Sequence, residues 1–468
     1  MRPGPSGSAP SLKWRASTAG KARIVLSEAC TPISEDEFAA RWAALRPGNH
    51  VALAVSGGRD SMALARLAGA HCARNGATLI ALTVDHGLRE SSAAEAKQTV
   101  AWCGAIGVRC EILAWRGDKP TTGLQAAARR ARYRLLGEAA ATTGASAILT
   151  AHSADDQAET VFMRLARGSG PRGLGGMEDE IAIAAGAGPP VRLLRPLLSF
   201  SRARLTATAT AHDQPFIDDP SNDDPKYERV RARALLAALE QNALLSREAL
   251  LRTASRMRAA ARGLRTGEDA AFRAGNGCLY RWGGAALDAR ILRRARGPHG
   301  PGLARRLIRA ASGGTHAPED ADAAAALQSA LKTGAATLGG AILRVSGERL
   351  WFLREPAAIL GRGGKPALAP IEIPPGKRVL WDGRFVIENA EGEAPITVRP
   401  FGAAASGTAD SEAKGVFEGP AEALSALPAA WRDGALIASP ARLSKAGRGV
   451  RFRSLMEERF RNAVVRFS

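Results

Sequence analysis

Cysteine is scarce in this chain: five in 468 residues (Cys30, Cys72, Cys103, Cys110, Cys278), none forming a C-x-x-C pair. A disulfide framework, a structural zinc site and a thiolate-held iron–sulfur cluster therefore all lack the ligands they need. That cysteine usage indicates a reduced, cytoplasmic setting with mostly buried thiols. Aromatic residues are only 5% of the chain, too few for a platform that stacks several bases. No apolar run reaches the roughly 18 uncharged residues of a membrane-spanning helix. The Walker pattern G-x-x-x-x-G-K-[ST] is missing, and with it the lysine such NTPases set against the β and γ phosphates. A G-x-G-x-x-G does occur at Gly168, Gly170 and Gly173, but it follows a helical segment instead of a strand, so a dinucleotide reading fails. Acids are outnumbered, with 45 Asp and Glu against 65 Lys and Arg and a net charge of +20. Such a surplus points to a polyanionic partner, most often nucleic acid.

Apolar residues nevertheless make up 46% of the chain, enough for packed cores, and the length favours two to four domains. The most informative stretch is Val51 to Leu67, VALAVSGGRDSMALARL. An apolar strand-length run leads into Ser56-Gly57-Gly58-Arg59-Asp60-Ser61, then into residues with Leu64, Leu67 and His71 at helical spacing. A strand-to-helix junction with two glycines aims several amide N–H groups one way, and the helix dipole favours anions there. The hydroxyls of Ser56 and Ser61 add donors. The six residues together read as a phosphate-binding loop.

From about Asn49 the pattern alternates strand and helix. Strands are expected at Val51–Val55, Thr78–Val84, Val108–Leu113 and Ala147–Thr150; helices at Ser61–Arg74, Ser92–Ile106, Thr122–Ala141 and Ser153–Arg167. This is an α/β pattern: a parallel sheet covered on both faces, with ligands at the carboxyl ends of the strands. Three polar segments begin at such ends: Ser56 to Ser61, Asp85 to Arg89, and His152 to Glu159. Gly168 to Met177 (GSGPRGLGGM) reads as a mobile loop. Expected regions are a basic disordered tail over 1–30, the α/β catalytic domain over 31–225, a helical Arg-rich domain over 226–335, and a small mixed α/β region over 336–468. The first 27 residues carry Arg2, Lys13, Arg15, Lys21 and Arg23 and no acid; a transit peptide is the other reading of that tail.

In HSADDQAET, Asp155 and Glu159 are four residues apart and Asp156 and Glu159 three apart, so two carboxylates can share a helix face. They could hold Mg²⁺ and an amine; Ser153 and Asp156 could equally form a capping box. Asp85, at a strand end beside the phosphate loop, is a candidate metal or amine contact. Arg129, Arg132 and Tyr133 are helical neighbours, either a phosphate clamp or a solvated basic face. Asp218 to Asp223 forms a polar turn before a basic helix bearing Arg229, Arg231 and Arg233.

The motifs SGGRDS, VDHGLR, GLQAAARRARY, HSADDQAET, GSGPRGLGGM, RPLL and DDPSNDDPKYERVRAR occur in this order over residues 51 to 233. In that register the chain resembles the bacterial tRNA(Ile)-lysidine synthase family of the PP-loop ATP pyrophosphatase superfamily. The resemblance covers somewhat under half the chain, with looser matches at ATLGGAILRV and ALPAAWRDGALIASP. Arg59 sits at the free position of the loop, Ser153 where the family varies, and the N-terminal tail is extra. It implies ATP and Mg²⁺ as co-substrate and cofactor, with tRNA(Ile) and free L-lysine as partners. The implied reaction adenylates the wobble cytidine of a CAU anticodon and then joins lysine to its C2, giving lysidine, AMP and pyrophosphate. Ser56, Gly57, Gly58, Arg59, Asp60 and Ser61 would hold the nucleotide, and Asp60 with Asp155 or Asp156 the metal. Asp85, Asp156 and Glu159 would seat the lysine, and Arg229, Arg231 and Arg233 would contact RNA. A PP-loop tRNA thiolase would need the cysteine pair this chain lacks, and a non-catalytic RNA-binding protein would not need an intact loop.

Overall fold

A computed structural model describes residues 31–461 except 118, 187–189, 219–223, 295–298, 315, 362–365, 403–416 and 444–448, together with 464–465. The expected basic tail over 1–30, and most of the Asp218–Asp223 turn, lie outside the described residues. The chain begins α1 (Glu35–Leu45), β1 (His50–Ala54), α2 (Arg59–Asn75), β2 (Thr78–Asp85), α3 (Ser92–Ala105) and β3 (Arg109–Ala114). It continues with α4 (Leu124–Thr143), β4 (Ala147–Leu149), α5 (Ala154–Ala166), α6 (Pro171–Leu174), β5 (Glu180–Ile183) and β6 (Val191–Leu194). Three helices follow: α7 (Arg202–Ala211), α8 (Glu228–Gln241) and α9 (Arg247–Ala274).

Strands line up in the order β5-β6-β4-β1-β2-β3, with the short strand Val464–Val465 beyond β5. All are parallel from β6 to β3, and β5 runs antiparallel to β6. Period-two alternation sorts the side chains to two cores. Val51 and Leu53 pack with Met62, Leu64 and Leu67 of α2 on one face. Ala52 packs on the other face with Tyr133 and Leu136 of α4. Each large apolar side chain so buried stabilises the fold by about 1.5–3 kcal/mol. The chain runs outward from β1 to β2 and β3, then returns to β4 on the opposite side of β1. Loops after β1 and β4 therefore diverge and leave a crevice at the carboxyl edge, the place where open α/β sheets bind ligands.

Two expectations change. Gly168–Met177 is not a mobile loop, since it contains α6 and is fastened from three sides. Gln157 donates to Met177 O at 2.8 Å and accepts from Met177 N at 2.6 Å. Arg164 donates to the carbonyls of Gly173 and Gly176, each at 2.8 Å, and Arg258 donates to Gly175 O at 3.0 Å. The division expected at 335/336 also falls inside a packed unit. Ala285–Asp288 pairs antiparallel with Arg349–Phe352 in one five-stranded sheet, covered by helices His299–Ser312 and Asp320–Thr333. Beyond residue 370, two further antiparallel sheets complete the C-terminal part. Among the described residues no helix is long and apolar enough to cross a membrane.

Candidate functional site

The turn after β1 is built from backbone. Gly57 takes φ +78, and a Cβ there would lie 2.5 Å from Thr99 Oγ1 and 2.7 Å from Ile217 Cδ1. Glycine is required both for the conformation and for the closeness of its neighbours. Gly58 is the N-cap of α2 and offers no side-chain cap, so the first N–H groups of the helix stay available to an anion. Ser61 Oγ donates to Gly58 O at 2.8 Å and accepts from Ser56 N at 3.2 Å, with Ser56 Oγ 3.3 Å away. From outside, Ile217 N donates to Gly57 O at 2.9 Å, clamping the loop against the strand edge.

This loop forms one wall of a cleft of about 650 Å³. Ser56, Gly58, Arg59, Asp60 and Ser61 line it, together with Asp156, Arg229 and Arg233 from the other expected segments. Arg132, Tyr133, Thr150, His152, Arg202 and Asp218 complete the polar lining. Arg132 faces the cleft with no hydrogen bond or ion pair of its side chain among the described residues, and desolvation lowers its pKa below the usual arginine value even with Tyr133 beside it. His152 Nδ1 lies 3.0 Å from Thr150 Oγ1; burial, reinforced by Arg195, pushes its pKa down to about 3, so the ring is neutral.

The acids and arginines interlock. Arg202, at the start of α7, donates to Asp156 Oδ1 at 2.9 Å and lies 3.5 Å from both Asp60 Oδ2 and Glu159 Oε1. Its backbone N–H donates to Asp155 Oδ2 at 2.7 Å. Arg229 donates to Glu159 Oε2 at 2.6 Å and to Asp156 Oδ1 at 3.0 Å, and Arg233 donates to Glu159 Oε1 at 2.8 Å. Asp156 is also the capping-box partner of Ser153, accepting from Ser153 N at 2.8 Å, so both sequence readings of this residue hold at once. Burial works against the Asp156 charge, but Arg229 and Arg202 outweigh it and keep the carboxyl below its ordinary range. Asp60 is the opposite case. Burial pushes it up to about 6 despite Arg202, and the charge of Asp156 adds to the rise.

Five expected site residues are not on the cleft wall; one is Gly57, which shapes the loop from behind, and the others are Asp85, Asp155, Glu159 and Arg231. Asp85 Oδ1 accepts from Gly87 N and Ser92 Oγ, both at 2.8 Å, and so shapes the turn after β2. Asp155 has one oxygen on Arg202 N and the other 3.5 Å from Arg247 Nε, which leaves it placed as a brace between helices. Glu159 is 1% exposed beneath Arg229, Arg233 and Arg202, so it anchors arginines instead of facing a substrate. Arg231 turns back to the carbonyls of Pro225 and Lys226 at 2.8 and 2.9 Å. Sequence reasoning missed Arg202, and it read Asp218 only as part of a polar turn. The signal for Arg202 was Ser201, an N-cap that accepts from Arg204 N and thereby starts α7 at the cleft.

Among the described residues no group of three or more His, Cys, Asp or Glu side chains is disposed to hold a metal. Mg²⁺ is commonly bound by one or two carboxylates together with substrate phosphates. Asp60, on the cleft wall beside the loop and under-compensated in its charged form, fits that pattern; Asp155, with both oxygens engaged, does not.

The PP-loop domain family matches residues 31–239. The tRNA(Ile)-lysidine synthase of Methylobacterium nodulans is 41% identical over 342 residues, spanning 71% of this chain and 98% of that protein. That of Methylobacterium sp. (strain 4-46) is 40% identical over 365 residues, spanning 71% of this chain and 97% of the relative. The Rhizobium meliloti synthase is 36% identical over 358 residues, spanning 72% and 73%. With the phosphate loop, the cleft and these matches together, the chain belongs to the tRNA(Ile)-lysidine synthase family.

Proposed function

We propose that this protein uses ATP to activate the wobble cytidine of tRNA(Ile) with a CAU anticodon and then joins free L-lysine to its C2. The supporting observation is the uncapped start of α2 behind Gly57 and Gly58, opening into a cleft that also carries Asp60. In the first step the cytosine O2 attacks the α phosphorus, the bond to the bridging oxygen breaks, and pyrophosphate leaves. The amides at the start of α2 and the Ser56 and Ser61 hydroxyls are placed to hold that pyrophosphate, and Arg132 supplies a further cation. Mg²⁺, held by Asp60 with the nucleotide, would spread the phosphate charge.

In the second step the lysine ε-amine attacks C2, the C2–O bond breaks, and AMP departs with the oxygen. A free ε-ammonium has a pKa near ~10.4 and must shed a proton before it attacks. His152, with its pKa near 3, is too weak a base for that task. Besides Asp60, the cleft wall carries Asp156 and Asp218; Asp156 has both oxygens engaged by Arg202, Arg229 and Ser153, which leaves Asp218 to meet a lysine ammonium group. Glu159 positions Arg229 and Arg233, whose guanidinium groups line the cleft for an anion such as the phosphate beside the wobble base. An anticodon loop suits this geometry because its unpaired bases can be splayed into a pocket.

Labelled lysine supplied with ATP and unmodified tRNA transcripts tests the reading. Label enters tRNA(Ile) bearing CAU and is absent from transcripts with other wobble bases. Incorporation into all transcripts alike, or pyrophosphate release that ignores tRNA, contradicts it.

A further inference from the structure

We infer that the outer side of α9 is a track for the phosphate backbone of the RNA stem leading away from the cleft. This rests on the reading that an RNA base enters the cleft, and adds where the rest of that RNA lies. α9 has 28 residues, about 42 Å of helix at ~1.5 Å per residue. Its arginines divide into two sets. Arg247, Arg258 and Arg265 are spaced so that they fall within roughly 20° of each other around the axis at about 100° per residue. All three are spent on the protein: Arg247 on Glu240, Arg258 on the Gly175 and Met177 carbonyls, and Arg265 on the Arg461 carbonyl.

Arg252, Arg256, Arg262 and Arg273 form the second set. Each is exposed, and among the described residues none has a hydrogen bond, ion pair or ring contact of its side chain. They occupy an arc of about 120° along some 31 Å of the helix. Of the acids on α9, Glu268 is buried against Arg172 and Arg306, and Asp269 pairs with Arg306. Glu248 shares the outer arc but forms no ion pair with Arg252. The outer side therefore presents four unpaired guanidinium groups against the single carboxylate of Glu248, and guanidinium is a group suited to phosphate.

Position supplies the second argument. α9 starts just behind the cleft wall, where Arg247 Nε lies 3.5 Å from Asp155, the chain neighbour of cleft-lining Asp156. It then passes α6 and ends against the C-terminal part, with Phe272 and Phe460 ring centroids 4.8 Å apart. A base held in the cleft leaves its flanking backbone at the head of this row of charges.

The test is the full chain carrying R252Q, R256Q, R262Q and R273Q. Its affinities for tRNA(Ile) transcript and for the isolated anticodon stem-loop are measured from about 50 to 200 mM salt. Each lost phosphate contact removes about 0.7–0.9 from the slope of log K against log salt. The slope should flatten by roughly 3 for both RNAs, while ATP affinity without RNA and the thermal midpoint stay at parental values. Should the quadruple variant fold poorly, the pairs R252Q/R256Q and R262Q/R273Q each flatten the slope by about half as much. An unchanged slope with both RNAs overturns the proposal. So does a change confined to full-length tRNA, which would put a distant part of the molecule on α9. The slope reads RNA contact whether or not lysine is ligated, so a failed ligase assay leaves this test standing.

Discussion

Asp60→Asn abolishes pyrophosphate release, by about 10³-fold or more, while tRNA affinity stays within about twofold of the parent. Asp60 stands beside the phosphate loop on the cleft wall, and its amide isostere keeps the shape while removing the charge that magnesium and nucleotide would use. A merely structural residue would lose both activities together. Stability separates the readings further. Burial holds the folded-state pKa near 6, against 3.8 for the ordinary group. Between those values the native chain binds more protons than the unfolded one, so this residue's contribution to stability falls as pH rises from about 4 to about 6, and is flat above. In the absence of nucleotide and magnesium, Asp60→Asn should be more stable than the parent at pH 7.5, by about 3 kcal/mol. The difference should vanish below about pH 4. A carboxylate kept against such a cost is what an active site requires of a residue it uses. A variant that is less stable at pH 7.5 would mean that the Arg202 pair outweighs burial.

Arg202→Met is the second large effect. One guanidinium touches Asp156 and stands near Asp60 and Glu159, and its backbone N–H holds Asp155. Removing it leaves Asp156 and Glu159 desolvated with only Arg229 and Arg233 to compensate, at a cost of about 3–5 kcal/mol for a broken buried network. The thermal midpoint should fall sharply. Because the damage comes from uncompensated charge and not from lost packing, Arg202→Met with Asp156→Asn should be distinctly less destabilised than the sum of the two single changes. Additive effects in that double-mutant cycle would show that the two residues do not act as one network.

The strands and helices from residue 50 to 166 were legible because period-two and helical spacings are strong in a doubly covered sheet, and each boundary falls within a few residues of the expected one. The phosphate loop was legible because its chemistry is local: strand, glycines and hydroxyls are contiguous. What escaped is set by distant contacts. Arg202 reads in sequence as an ordinary arginine after an N-cap serine, and only the sheet brings it to Asp60. A basic helix such as α8 looks the same whether its arginines meet RNA or carboxylates, and the structure turns Arg229 and Arg233 toward Glu159. Glycines in Gly168–Met177 suggested mobility, whereas the matching donors on Gln157, Arg164 and Arg258 immobilise the segment. The strand Ala285–Asp288 is too short and alanine-rich to announce itself, which is why a boundary was expected at 335/336 instead of ahead of that sheet.

The phosphate loop and cleft exist, on this view, to part ATP between its α and β phosphorus atoms on behalf of a cytidine. Incubating the protein with ATP labelled at the γ position, lysine and tRNA(Ile) reads that directly. Label should appear as pyrophosphate, with AMP and lysine-bearing tRNA in equal amounts. Label released as inorganic phosphate, with ADP as the remaining nucleotide, would contradict it.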